Sequence, residues 1–193
     1  IRLLRSEDLK ALDINQEPAA MKAAYGETRF GRGALLARRL VENGVRFVEV
    51  SVGSWDHHRD IFNTVPEKAA ELDKVASALI SDLAQRGLLD STLVVVSSEF
   101  GRKPKINQNV GRDHYPRANW CMMAGGGVNP GQLIGATDEK GEGPADDTDI
   151  HPDDLGASIF HALGIDHHKE YYTRTGRPVS LIPNGRVMHD LFD

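Results

Sequence analysis

Two stretches of this chain concentrate side chains able to do chemistry. Trp55-Asp56-His57-His58 sets a carboxylate beside two imidazoles, and the segment Ser97 to Pro116, SSEFGRKPKINQNVGRDHYP, adds Glu99, Arg102, Arg112, Asp113 and His114. Carboxylate oxygens mixed with imidazole nitrogens suit a divalent cation such as zinc, manganese, magnesium or calcium. Such a cation can activate water or polarise a phosphoryl or sulfuryl oxygen. Arg102 or Arg112 could hold an anionic ester by a two-pronged contact. Each residue also has an ordinary reading. His57 and His58 could be solvated loop residues, Glu99 could pair with Arg102, and Asp113 with Arg112.

The elements around these stretches decide where they stand. Leu35, Leu36 and Leu40 recur at helical spacing between Phe30 and Asn43, with Gly44 as a cap. Val45 to Val52 is rich in β-formers and reads as a largely buried strand. After the WDHH loop, Pro66 can open a second helix striped by Leu72, Val75, Leu79 and Leu83, with Gly87 at its end. Thr92 to Val96 reads as the next strand. This strand, helix, strand rhythm predicts an α/β fold, a mainly parallel sheet flanked by helices, with both polar loops leaving one carboxyl edge where ligands gather. Further on, Trp120 to Ala124 and Gln132 to Gly135 read as short strands and Asp138 to Asp149 as a mobile acidic loop. A helix starting at Pro152 presents Leu155, Ile159 and Leu163 on one face. Residues 1–29 read as an N-terminal arm and 30–193 as the main domain.

Composition narrows the function classes. A chain of 193 residues can bury one sizeable core, and a net charge of −5 offers no broad basic surface for nucleic acid. No apolar run approaches the roughly 20 residues of a membrane-spanning helix. The single cysteine, Cys121, excludes an internal disulfide and sits in an apolar stretch that favours a packing role. His151 before Pro152 suits a helix cap. His161, His167, His168 and His189 read as packed or solvated.

The order Asp56 and His58, the phrase Gly87 to Gly101 (GLLDSTLVVVSSEFG), His114 with Pro116, Ala124-Gly125-Gly126-Gly127-Val128 and Asp154 to Ile165 (DLGASIFHALGI) resembles the C-terminal half of the alkaline phosphatase and sulfatase superfamily. More narrowly, WDHH, SSEFGR, GRDHYP and HPDDLGASIFHALGID resemble a bacterial sulfatase-like family of no established function, of the domain-of-unknown-function 1501 type. The superfamily resemblance implies that Asp56 and His58 bind one metal, with His57 a substitute and His114 completing the site beside Asp113. It implies a second site at Glu99, where Phe100 stands in place of the usual histidine. That departure points to a single or altered metal site. The resemblance also implies a nucleophile in an N-terminal half outside this sequence, and export from the cytoplasm.

The expected function is therefore metal-dependent hydrolysis of a small-molecule or glycan phosphate or sulfate ester, with Arg102 or Arg112 holding the anion. The rival is a degenerate, non-catalytic relative that binds anions or glycans. The hydrolase reading expects Asp56, His58, Glu99 and His114 to converge on one point.

Overall fold

The structure, a computed structural model, describes residues 7–145 and 150–192. The chain divides into two compact units, one made of residues up to Thr92 together with 105–113, the other of 93–104 and the chain from His114 onward. The first unit is helical: α1 (Ala19–Tyr25), α2 (Arg29–Glu42) and α3 (Ile61–Gln85), preceded by two short 3-10 turns. The second holds six short strands, β1 (Val94–Ser97), β2 (Gly101–Arg102), β3 (His114–Tyr115), β4 (Cys121–Ala124), β5 (Glu170–Tyr172) and β6 (Pro178–Ser180), with α4 (Pro152–Ala162) between β4 and β5.

Among the described residues the expected parallel sheet is not present. The strands form three two-stranded antiparallel pairs, β1 with β4, β2 with β3 and β5 with β6. Val45 to Val52 has no regular structure and bends at Arg46, with Val48, Val50 and Val52 half-buried and Val45, Phe47 and Glu49 exposed, and it pairs with no strand among the described residues. Val50 leans instead on α2 at Gly33, where its Cγ1 lies 3.1 Å from the position a β-carbon would take. The segment has the alternation of a strand, but β1 takes its ladder from β4, which returns antiparallel after the small β2–β3 ribbon. Gln132 to Gly135 forms no strand, and residues 146–149 of the expected acidic loop lie outside the described residues, as do 1–6 of the arm.

Helix α2 matches its leucine spacing, and Thr28 caps it by accepting from Gly31 N–H. Helix α3 begins at Ile61, ahead of Pro66, because three interactions fix its first turn. Ile61 N–H donates to Val110 O, Asn63 Nδ2 donates to Asp60 Oδ1 at 2.7 Å, and the Thr64 hydroxyl donates to Asp60 O. Tyr25, Ala34, Leu35 and Val75 form the core of this unit, with Ile14, Met21, Phe30 and Leu79 packed around them.

Beside that core lies a buried ionic cluster. Arg38 on α2 is 1% exposed, and its guanidinium meets Asp82 Oδ2 at 2.8 Å, Glu17 Oε2 at 2.7 Å and Glu42 Oε2 at 2.6 Å. Its Nε and Nη2 contacts lie off the hydrogen-bond line, so they act chiefly as charge pairs. Arg39 also pairs with Glu17, and Arg86 joins Asp82 at 2.7 Å and Glu42 at 2.8 Å. The Tyr25 hydroxyl donates to Asp82 Oδ2. Burial, reinforced by the Asp82 charge, pushes that phenol's pKa up. Burial alone would raise the Glu17 carboxyl, but Arg38 and Arg39 outweigh it and hold it below the usual range.

In the second unit the Leu155 and Ile159 face of α4 is half-buried, and other residues lie deepest. Asp154, Ala157 and Ser158 are buried, whereas Leu163 is exposed. The returning tail explains this. Asp154 Oδ1 accepts from Arg186 N–H at 2.7 Å, its Oδ2 pairs with Arg186 Nη2 at 3.0 Å, and Ser158 Oγ accepts from Met188 N–H. Gly185 fits against Asp153 O, which would lie 2.3 Å from any β-carbon there. The Arg186 contacts hold the Asp154 carboxyl at about 2.

Two outcomes follow from these charges. Replacing Arg38 with Met removes the central cation and leaves the buried Glu17 and Asp82 with only Arg39 and Arg86 to offset them, and it should cost about 3–5 kcal/mol in denaturant unfolding. Asp154 is depressed in the folded state, so its contribution is complete above the unfolded carboxylate value of about 4 and disappears as pH falls towards 2. An Asp154→Asn variant should therefore unfold more easily than wild type at pH 6 and lose that difference near pH 2, as read by circular dichroism.

Candidate metal centre

The WDHH loop is wound into consecutive tight turns, His57 N–H donating to Trp55 O and His58 N–H to Asp56 O. Such a backbone sends alternate side chains to opposite sides. Asp56 and His58 share one side, where Asp56 Oδ1 stands 3.0 Å from His58 Nε2. Trp55 and His57 share the other, their rings meeting edge to face at 6.4 Å. His57 is thereby turned away from Asp56, and its buried Nε2 has no hydrogen-bond partner among the described residues.

The 105–113 loop lies along this turn and is laced to it by main-chain bonds. Arg112 N–H donates to His57 O, Asp60 N–H to Asn109 O, and Ile61 N–H to Val110 O. Gly111 makes this approach possible, because a β-carbon there would sit 1.9 Å from the His58 carbonyl carbon. Three non-glycine residues, Ser54, Asp60 and Val110, have φ values of 68°, 50° and 58° around these loops. For Val110, branched at Cβ, that left-handed conformation is strained.

The lacing delivers Asp113 to the far side of the same imidazole, its Oδ1 3.0 Å from His58 Nδ1. Asn107 braces the arrangement. Its Nδ2 donates to Asp113 Oδ1 at 3.0 Å and to His58 O at 3.1 Å, and its Oδ1 accepts from Asn109 and Gly111 N–H at 2.9 Å each. His58 thus stands between two carboxylates, one at each ring nitrogen. All of these groups belong to the first unit.

The other sequence-selected residues belong to the second unit. Glu99 is exposed in the turn before β2 and forms no ion pair among the described residues. Arg102 on β2 lies opposite His114 on β3, with its guanidinium carbon 5.8 Å from the Phe100 ring centre. Phe100 packs on His114 with ring centres 4.3 Å apart. Asp113 and His114 are neighbours in sequence, and the boundary between units falls between them. Asn107 was not among the selected residues, although Asn107-Gln108-Asn109-Val110-Gly111 carries the signature of a tight loop closed by Asn side chains.

The first unit thus offers a carboxylate and an imidazole nitrogen facing each other, with a second carboxylate orienting the ring from behind, in a helix-rich chain with small antiparallel ribbons. Residues 1–192 match the family described as protein of unknown function (DUF1501), and the chain belongs to that family. No curated protein and no solved structure matches the chain.

The close approach at Gly111 gives a direct test of the lacing. Gly111→Ala forces a β-carbon into the His58–Arg59 backbone and should destabilise the protein by about 3 kcal/mol or more. Protease nicking within residues 105–113 should rise in parallel, and an unchanged unfolding midpoint would show that the loops are not held as described.

Proposed function

We propose that Asp56 and His58 hold a divalent metal ion, and that the protein is a metal-dependent hydrolase of phosphate or sulfate esters related to the alkaline phosphatase and sulfatase superfamily. The observation that carries this reading is the pair of carboxylates on one imidazole. A neutral imidazole has one N–H and can donate to only one of them. The Nδ1–H directed at Asp113 leaves the Nε2 lone pair facing Asp56, an arrangement that needs either a second ring proton or a cation at Nε2. A metal-ligating histidine backed by a carboxylate on its other nitrogen is the recurrent solution. The donor set, carboxylate oxygen with imidazole nitrogen, fits zinc or manganese.

A bound cation would supply Lewis acidity towards a phosphoryl or sulfuryl oxygen. Asp113 keeps the His58 ring in one orientation. Arg112, on the same loop, is the residue this reading assigns to the anionic ester. The attacking group is not among these residues. Phe100 favours a second reading, in which the protein binds anions or glycans without turnover, because its ring packs on His114 at the position where the resemblance calls for a metal-binding histidine.

Elemental analysis of the purified chain tests the first reading. Close to one equivalent of a transition metal per chain is expected, falling at least tenfold in Asp56→Ala and His58→Ala. A wild-type chain that retains no metal after exposure to zinc or manganese, and shows no saturable binding by calorimetry, sinks it. Metal binding with no turnover of aryl phosphates or sulfates by the whole protein favours the second.

A further inference from the structure

We infer that Asn107 is the positioning residue of this centre, the group that fixes the Asp113 carboxylate and through it the orientation of the His58 imidazole. The inference rests on the metal reading for its purpose, but its geometry stands apart from any ion. Asn107 uses one side chain for two tasks. Its oxygen closes the loop by accepting from Asn109 and Gly111 N–H. Its amide nitrogen faces the other way, towards Asp113 Oδ1 and the His58 carbonyl.

The amide nitrogen therefore ties the carboxylate that receives the His58 Nδ1–H to the backbone of that same histidine. Asp113 Oδ1 accepts from the Asn107 amide and lies against His58 Nδ1, each at 3.0 Å. With the carboxylate pinned and the residue's own carbonyl held, the ring has little freedom about χ2, and Nε2 is directed at Asp56. An unbraced Asp113 could turn its oxygen away, and the imidazole would lose the acceptor that selects its Nδ1–H form.

Asn107→Asp separates the two tasks. It keeps the oxygen that accepts from Asn109 and Gly111, and it replaces the donor facing Asp113 by a second carboxylate oxygen, which repels it. Long-range proton–nitrogen correlations of the His58 ring in the metal-free protein report whether Nδ1 is protonated. Wild type should show a protonated Nδ1. Asn107→Asp should lose that signature or mix it with the other tautomer while keeping a cooperative unfolding transition, and its affinity for added zinc should fall by roughly 10–100-fold.

If Asn107→Asp does not fold, Asp113→Ala serves in its place, because it leaves every Asn107 contact to Asn109, Gly111 and His58 intact. That variant should lose the same Nδ1 signature. A folded Asn107→Asp protein with an unaltered His58 spectrum and zinc affinity would overturn the inference, and so would an unaltered spectrum in Asp113→Ala. Failure of the metal reading alone looks different: wild type would bind no zinc, while the spectra would still respond to both substitutions.

Discussion

The burial of Arg38 is the constraint on which the first unit depends. A guanidinium removed from water is tolerated only where opposite charge surrounds it, and Glu17, Glu42 and Asp82 do so from three different segments. Arg39 and Arg86 match the added carboxylates, so three cations face three anions. Such a cluster adds little net stability compared with an apolar core, but it penalises any packing in which one member loses its partners. It fixes how α2 and α3 lie against each other and ties the segment before α1 to both.

Helix α3 links that cluster to the candidate metal centre. Its 25 residues span about 37 Å at ~1.5 Å per residue. Asp82 lies near its carboxyl end, inside the ionic cluster, while Ile61 at the other end is hydrogen-bonded to Val110 in the loop that carries Asp113. The WDHH turn enters the helix directly through Asp60. The histidine is thus set by a helix whose far end is anchored by charge, and by a loop closed by one asparagine. A site on such a scaffold keeps its orientation better than one on two independent loops.

The helices were legible because their signals are local. Leucine spacing and a cap marked α2, and the stripe Val75, Leu79, Leu83 marked α3. The sheet was misread because pairing is not a local property. Val45 to Val52 has the residue types and the alternation of a strand, but nothing in it states whether a neighbour exists, and β1 turned out to pair antiparallel with β4. The deep burial of Asp154 and Ser158 on α4 was not legible for the same reason, since their cover, Arg186 and Met188, arrives from about 30 residues away. In the site, Asp56 and His58 were readable from adjacency. Asp113 had two plausible partners in sequence, Arg112 and a metal, and its contact with His58 spans 55 positions. Asn107 looked like any polar loop residue, because what distinguishes it is the aim of its amide.

Val110 stands in a conformation that β-branched residues avoid, and it does so where its carbonyl must receive Ile61 N–H to start α3. A residue at ease with positive φ, such as glycine or asparagine, would relieve roughly 1–2 kcal/mol of that strain. The molecule thus holds an unused reserve of thermal resistance in the loop that carries Asp113.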